Sequence, residues 1–330
     1  MAEAVRVPKP EVEAAIAALR EAGVYDDTRR VSERDADTVA VPVTGPPPAD
    51  CDYLLVEGAP DPRVRGLDDR LRERGFSPAE VTRAPASWAV VGDVVLVAFG
   101  ECERRAEVAD AIRELQGADT VLARGGIDGP HREPDVEVVA GSGETETVHV
   151  EDGTKYALDL AEVMFSPGNQ RERVRMGEVV APGESVADLF AGVGYFTLPM
   201  ARAGADVTAV ERNPAAFRYL VENCALNAVT DRVTPVRADC RDAAVPAADR
   251  VVMGHYDARE YLDVGLDALA PGGTVHLHDA TPADRPFERP VDRLREAAAA
   301  RDRAVTVRDR REVKSYSAGV VHVVVDARLD

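Results

Sequence analysis

Apolar residues recur along this chain at two different periods, and the change between them divides it. Residues 10–23, PEVEAAIAALREAG, repeat apolar positions every three to four residues and stop at Gly23, which predicts an amphipathic helix. TVAVPV (38–43) and DYLLVEG (52–58) are short apolar runs on either side of a Pro-rich turn and predict strands. A charged helix follows at 63–75. ASWAVVGDVVLVAFG (86–100) reads as a hairpin turning at Gly92-Asp93, and 101–117 as the next helix. DTVLARGG, DVEVVAG, ETVHVEDG and KYALDL then predict four short strands with Gly-rich turns.

From Ser166 onward the pattern alternates. It predicts helix 169–180, strand 185–190, helix 195–203, strand 206–211, helix 213–227, strands 233–238 and 249–254, helix 257–269 and strand 273–278. Strands separated by helices at this spacing imply a parallel, doubly wound sheet. A helix at 290–300 and the runs AVTVRD and SAGVVHVVVDARL predict an antiparallel ending on that sheet. The fold class is therefore α/β. Residues 1–160 form a smaller α+β region, 161–330 the doubly wound domain, and the boundary lies near 150–165.

Composition changes this picture in one respect. Asp and Glu number 59 against 40 Lys and Arg, a net charge of −19 over 330 residues. Only Lys9, Lys155 and Lys314 are lysine, and only three residues are isoleucine, so Arg carries the positive charge and Ala and Val fill the apolar positions. Such a surface suits a salt-rich cytoplasm, where screening contracts to about 3 Å at 1 M salt. A GC-rich coding sequence is the plainer source of the Arg bias. Net acidity normally argues against nucleic-acid binding. In a salt-adapted protein it reports the solvent, and local Arg clusters report the partner.

No apolar run reaches the roughly 20 residues of a membrane span, and the charged N-terminus has no signal-peptide core. The expectation is a cytoplasmic protein without a membrane partner. Cys51, Cys102, Cys224 and Cys240 are scattered, with no CxxC and no His at zinc-ligand spacing. They read as small apolar residues, and no metal site is expected.

The densest chemistry lies in VADLFAGVGYFTLPMA (186–201). An apolar strand ends at Asp188, turns through Phe190-Ala191-Gly192-Val193-Gly194 and opens a helix. Gly192 and Gly194 allow a ligand to approach the backbone closely. A dinucleotide fingerprint needs a third glycine where Thr197 stands, which disfavours an NAD-dependent dehydrogenase. An acid four residues before the first glycine is instead the pattern of S-adenosylmethionine enzymes. Two more carboxylates stand at successive strand ends. Glu211, 19 residues after Gly192, is placed to accept both ribose hydroxyls. Asp239, with Cys240 beside it, is placed to meet the adenine. Each alone is as well explained as a solvated strand end; three in order point to a bound adenosyl group. Ahead of the sheet, MFSPGNQRERVRMG (164–177) reads either as a capped surface helix or as a lid. In the second reading Ser166 and Arg173 face the ligand's carboxylate or a substrate phosphate.

FSPGNQRER, DLFAGVGYFTLP, ERNP, ENCALN and the stretch HREPDVEVVAGSGETETVHVEDGTKYALDLAEVMFS together resemble one family. It contains the archaeal and eukaryotic tRNA guanine-37 N1-methyltransferases and the aminocarboxypropyltransferases of wyosine synthesis. The resemblance covers about residues 86–280, and more loosely the first 85. It implies a class I S-adenosylmethionine-dependent, Rossmann-like transferase with an N-terminal tRNA-binding region. It also implies S-adenosyl-L-methionine as co-substrate and the anticodon loop of tRNA, at position 37, as partner.

The methyltransferase branch carries Asn-Leu-Pro or Asn-Pro-Pro after the fourth strand. Here that strand runs into Gly254-His255-Tyr256-Asp257, with neither Asn nor Pro. With Gly168-Asn169, Arg175-Met176-Gly177 and VHLHDAT (275–281), this resembles the aminocarboxypropyltransferase branch, although that branch more often shows Gly-Tyr. The resemblance implies transfer to 4-demethylwyosine of tRNA(Phe). His255, Tyr256 and Asp257 are then the candidate catalytic residues, with Glu260 and His278 as further bases. Ser166, Arg173, Asp188, Phe190, Gly192, Gly194, Glu211, Asp239, Cys240 and Gly254 are the candidate cofactor-binding residues. The rivals are N1-methylation and a non-catalytic tRNA-binding protein; the intact acid and glycine positions speak against the second.

Overall fold

The computed structural model describes residues 3–48, 53–57, 60–61, 66–129 and 131–330. The chain divides into two compact units, Met1–Val81 and Thr82–Asp330.

In the first unit, β1 (Glu3–Pro8), α1 (Val12–Glu21), β2 (Ser32–Glu33), β3 (Thr38–Val43) and β4 (Leu54–Glu57) form an antiparallel sheet in the order β2-β3-β1-β4 with one helix. Val5 and Val7 of β1 bury against Ala15 and Leu19 of α1 and against Val39, Val41 and Val43 of β3. Helix α2 (Leu67–Glu73) is shorter than the expected 63–75, and residues 62–65 and Cys51 lie outside the described residues. Strand β1 was not anticipated, because Ala4 and Val5 are adjacent buried residues and break the alternation that marks a strand.

The second unit begins within α3 (Pro78–Arg83), which spans the division. Its first sheet joins β5 (Trp88–Val91), β6 (Val94–Val97), β7 (Thr120–Asp128) and β8 (Glu133–Gly141), with α4 (Arg105–Gln116) crossing from β6 to its parallel neighbour β7. A separate hairpin follows, β9 (Glu146–Glu151) with β10 (Thr154–Asp159). Then α5 (Gln170–Val179) leads into β11 (Ser185–Asp188), α6 (Thr197–Arg202), β12 (Asp206–Glu211), α7 (Pro214–Leu226), β13 (Val233–Arg237), β14 (Ala248–Met253), α8 (Leu262–Asp267), β15 (Leu269–Pro282), α9 (Glu288–Ala299), β16 (Val305–Ser317) and β17 (Val320–Leu329).

These last seven strands make one sheet in the order β13-β12-β11-β14-β15-β17-β16. The first five are parallel, and β17 inserts antiparallel between β15 and β16. The doubly wound sheet with an antiparallel ending is thus as expected. The expected helix 257–269 is shorter: a 3-10 turn at Ala258–Tyr261 precedes α8, and β15 starts early, at Leu269.

The expected boundary near 150–165 does not coincide with the division after Val81. One core explains the difference. Val91, Val94 and Leu122 of the first sheet bury together with Tyr156 and Leu158 of the hairpin and with Met176, Val186 and Leu198 of the doubly wound part. Two asparagines on α7 add polar ties. Asn223 accepts from Ala157 N (2.7 Å) and donates to Ala157 O (3.0 Å); Asn227 does the same for Lys155 N (2.9 Å) and O (2.7 Å). Two strand residues rise about 6.7 Å and four helix residues about 6.0 Å, so one turn of α7 matches alternate residues of β10. Among the described residues no helix is long and apolar enough to cross a membrane.

Candidate active site

The sheet order reverses between β11 and β14, and in open α/β sheets ligands bind outside the carboxyl ends of the strands at such a point. A cavity lies there. The turns after β11, β12, β13 and β14 line it on one side, and the 163–173 segment and the β7–β8 turn on the other.

The turn after β11 is held from behind. Asp188 is fully buried, accepts from Thr197 Oγ1 (2.7 Å) and Phe190 N (3.3 Å), and does not line the cavity. Burial pushes its carboxyl up to about 6 against the pull of these bonds. Its place is to pin both ends of the turn. Gly192 (φ +56°) does line the cavity, and a Cβ there would fall 2.3 Å from the Tyr195 ring. Gly194 (φ +104°) faces away, where a Cβ would meet Leu198 Cγ at 2.7 Å. The two glycines therefore differ: Gly192 shapes the cavity and Gly194 packs the following helix.

Glu211 closes β12 and bridges two turns. It accepts from Gly192 N (2.7 Å) and from Asn213 N (2.7 Å), and burial raises its carboxyl above the ordinary value. Asn213 caps α7 through Ala215 N and reaches His131 O (3.1 Å). Asp239 follows β13 on the cavity wall. Arg241 holds it by Nε (2.9 Å), Nη2 (2.7 Å) and backbone N (3.0 Å), and this ion pair keeps its carboxyl well below the ordinary range. Cys240 is buried beside it, and burial pushes its thiol up to about 11, so it stays protonated.

After β14, Gly254 sits where a Cβ would fall 2.7 Å from the Phe196 ring. His255 stacks on Phe190 (5.3 Å between centroids, 29°), and Tyr261 stands edge-on to Phe190 at 5.2 Å. Burial, with Arg132 nearby, lowers His255 to about 4, so the imidazole is neutral at pH 7. The Tyr256 ring meets Tyr316 and His322 edge-on and carries the Arg132 guanidinium 5.4 Å from its centroid. Asp257 is turned away to Arg259 (2.5 Å) and does not line the cavity, so its expected place in the catalytic set is corrected.

Ser166 and Arg173 both border the cavity, with a changed partner for the second. Arg173 is 2% exposed. Its planar fork grips Glu151, Nε to Oε2 at 2.6 Å and Nη2 to Oε1 at 2.7 Å, and Nη1 donates to Ser166 O at 2.9 Å. The fork expected to face a ligand's carboxylate is therefore engaged within the protein, and Arg173 acts on the cavity by holding the Ser166 backbone. Sequence reading also missed Arg132, Tyr261 and His322 as lining residues. They arrive from a turn, a 3-10 helix and β17, and no motif joins them. Among the described residues no cluster of three or more His, Cys, Asp and Glu is arranged to hold a metal.

A doubly wound sheet with an acid-pinned glycine turn and a half-buried glutamate at the next strand end defines an adenosyl-binding fold of the Rossmann-like class. The match to known proteins narrows this: the chain belongs to the TRM5/TYW2 family. The TRM5/TYW2 methyltransferase domain matches residues 147–307 and the TYW2 N-terminal domain residues 67–145. The chain is 38% identical over 275 residues to a Pyrococcus horikoshii protein named tRNA(Phe) (4-demethylwyosine(37)-C(7)) aminocarboxypropyltransferase, covering 81% of this chain and 99% of that one. It is 32% identical over 336 residues to Pyrococcus abyssi Trm5b, named a tRNA (guanine(37)-N(1))-methyltransferase, covering 100% and 99%. The crystal structure of that Trm5b superposes with a TM-score of 0.80 at 31% identity over 100% of both chains. That of P. horikoshii TYW2 in complex with MeSAdo gives 0.71 at 36% identity, over 79% of this chain and 98% of that one.

Proposed function

We propose that this chain transfers the 3-amino-3-carboxypropyl group of S-adenosylmethionine to C7 of 4-demethylwyosine at position 37 of tRNA(Phe). The support is the named activity of the P. horikoshii relative, the match of residues 67–145 to the TYW2 N-terminal domain, and the turn after β14. That turn, Gly254-His255-Tyr256, carries the choice of reaction, because it offers two rings and a glycine where the methylating branch has Asn and Pro.

The residues fit an adenosyl ligand. Gly192 lets the turn close against the Tyr195 ring while lining the cavity, and Glu211 presents a half-buried carboxylate beside it with capacity to accept the ribose hydroxyls. Asp239 and Cys240 stand where the adenine would lie. When bound, S-adenosylmethionine supplies a sulfonium with three electrophilic carbons. Which one meets the nucleophile is a matter of position, since reacting atoms must come within about 3–3.5 Å in line. Gly254 and Phe190 shape the wall that sets this position, and His255 and Tyr256 supply aromatic faces for the tricyclic base. His255 Nδ1 accepts from Asp257 N (3.0 Å), so the neutral ring presents Nε2–H as a donor.

A tRNA substrate is in keeping with a cytoplasmic protein whose partner is the anticodon loop, and the acidic surface suits a cell with concentrated salt. A second reading, N1-methylation of guanosine 37, is favoured by one observation: Trm5b of P. abyssi matches over the whole chain. Mass spectrometry of nucleosides from tRNA(Phe) bearing 4-demethylwyosine or unmodified guanosine, incubated with the protein and labelled S-adenosylmethionine, separates the two. A 3-amino-3-carboxypropyl adduct on the first substrate is expected. A methyl adduct on the second, with none on the first, overturns the assignment.

A further inference from the structure

We propose that Asp279, which stands outside the cavity, is a positioning residue of the transfer. Through Arg259 it fixes the backbone carbonyl of Tyr256, and with it the placement of the His255 and Tyr256 rings toward the target base. The inference rests on the functional reading above for the base that this turn meets. It gives Asp279 no contact with either substrate.

Asp279 lies on β15, fully buried, and does not line the cavity. Successive strand residues point to opposite faces, so it follows Val275 and Leu277 rather than His276 and His278. Val275 and Leu277 share a core with Val291 and Leu294 of α9. The carboxylate on this apolar face takes two arginines: Oδ1 accepts from Arg259 Nη1 at 3.1 Å and Oδ2 from Arg293 Nη1 at 3.0 Å. Burial raises its carboxyl above the ordinary value against their pull. A buried ionic triad is a poor source of stability, since apolar side chains of similar volume often do as well or better. The geometry that this one fixes is the better account of it.

The two arginines differ in what they tie down. Arg293 comes from α9 and joins the carboxylate to that helix. Arg259 stands in the 3-10 turn directly behind Gly254-His255-Tyr256. Its Nη1 also donates to Tyr256 O (3.3 Å), and its Nη2 pairs with Asp257 (2.5 Å). Ala280 N, one residue after Asp279, donates to the same Tyr256 carbonyl (3.3 Å). Consecutive residues of β15 thus converge on that oxygen, one through Arg259 and one directly. His255 is locked in the same turn, its Nδ1 accepting from Asp257 N (3.0 Å) and its carbonyl from Ala258 N (3.1 Å). Both rings line the cavity. The reacting atoms must meet in line within about 3–3.5 Å, so a shift of this turn by ~1 Å puts the base out of line while most contacts to either substrate persist.

The test separates placement from stability and uses the full chain. Single-turnover transfer to tRNA(Phe) bearing 4-demethylwyosine is measured at saturating S-adenosylmethionine and tRNA, with the dissociation constants of both alongside. The proteins are the parent, Asp279→Asn, Arg259→Gln and Arg293→Gln. Asp279→Asn and Arg259→Gln should slow transfer about tenfold or more and leave both constants within about threefold. Arg293→Gln breaks the same triad away from the turn. It should lower the melting temperature and keep the rate within about threefold. A second readout needs no activity. Burial, and then Arg132, hold His255 at about 4. Followed by nuclear magnetic resonance at about pH 5.5, its ring should be neutral in the parent and partly charged in Asp279→Asn, because a freed turn lets water reach it. Equal rates for Arg259→Gln and Arg293→Gln, both slow or both unchanged, make the triad a structural tie and overturn the proposal. So do a loss confined to the dissociation constants, and a His255 ring as neutral in folded Asp279→Asn as in the parent. If Asp279→Asn does not fold, the contrast between the two arginine variants decides. A parent that transfers nothing to 4-demethylwyosine refutes the functional reading instead, and the His255 signal then decides whether Asp279 fixes the turn.

Discussion

The Glu151–Arg173 pair links stability to the shape of the cavity, and breaking it should be costly in a defined pattern. Both side chains are almost fully buried, at 5% and 2% exposure, and the contact is a two-pronged fork at 2.6 and 2.7 Å. His149 Nε2 also reaches Glu151 at 3.0 Å, and the Phe165 ring lies 4.8 Å from the guanidinium. Glu151→Gln leaves a buried guanidinium without a counter-charge, and Arg173→Ala leaves the carboxylate with His149 alone. Each should cost about 3–5 kcal/mol, as measured for broken buried pairs. For a unit of this size that is a fall of about 6–20 °C in melting temperature. Arg173→Lys should recover little, since an ammonium cannot make the fork. Replacing both partners by apolar residues, Glu151→Leu with Arg173→Met, should cost less than either single change, because no charge is left stranded.

The same cycle measured at two pH values checks the sign. Burial alone would raise the Glu151 carboxyl, but the bonds from His149 and Arg173 outweigh it and hold it below the ordinary 4.5. The pair's contribution is therefore full above pH 4.5 and is lost as pH falls through the lower folded value. Denaturant titration of the four proteins gives the result. Single variants within about 1 kcal/mol of the parent, or a double variant as damaged as the sum of the singles, would refute the argument.

Four further outcomes are expected. Burial holds His278 at about 3 and His322 at about 2, joined Nδ1 to Nε2 at 3.0 Å, so both fold neutral. Stability should then fall below pH 6.5 by about 1.4 kcal/mol per pH unit for each, and His278→Asn with His322→Asn should flatten that slope in urea titrations. Gly192→Ala must place a Cβ against the Tyr195 ring at φ +56°, and should lower both the melting temperature and adenosyl affinity; wild-type affinity would show that the turn does not contact the ligand. Glu211→Ala should weaken adenosine binding by about 1–3 kcal/mol in calorimetry, and an unchanged constant would remove it from the site. With a net charge of −19, the urea midpoint should rise from dilute buffer into molar KCl; a midpoint that falls would count against salt adaptation.

What could be read from the sequence was local. The glycine turn and the acids at 188, 211 and 239 stand at strand ends, and strand ends follow from hydrophobic periodicity, so fold and cavity floor were visible together. What could not be read depends on pairing across distance. Arg173 is seven residues from Ser166, which suggested a shared ligand, but its fork found Glu151 in a hairpin that no spacing rule connects to it. His322 reaches the cavity because β17 inserts between β15 and β16, an order that periodicity does not encode. Asp188 and Asp257 have the right chemistry in the right segments, yet one faces a threonine behind the turn and the other an arginine outside it. Side-chain direction, rather than residue type, separates them from the cavity lining.

The two asparagines of α7 have a consequence beyond holding the hairpin in place. A two-stranded ribbon on its own is marginal in water, and its outer strand offers a row of unpaired backbone groups to any extended chain that passes. Asn223 and Asn227 fill that row on β10, each side chain presenting the carbonyl and amide that a third strand would have brought. The helix thus imitates a neighbouring strand, with a polar comb in place of a ladder. In a cell crowded with nascent chains, this edge is closed to recruitment. Asn223→Ala with Asn227→Ala should reopen it, so that the protein self-associates through β10 as its concentration rises.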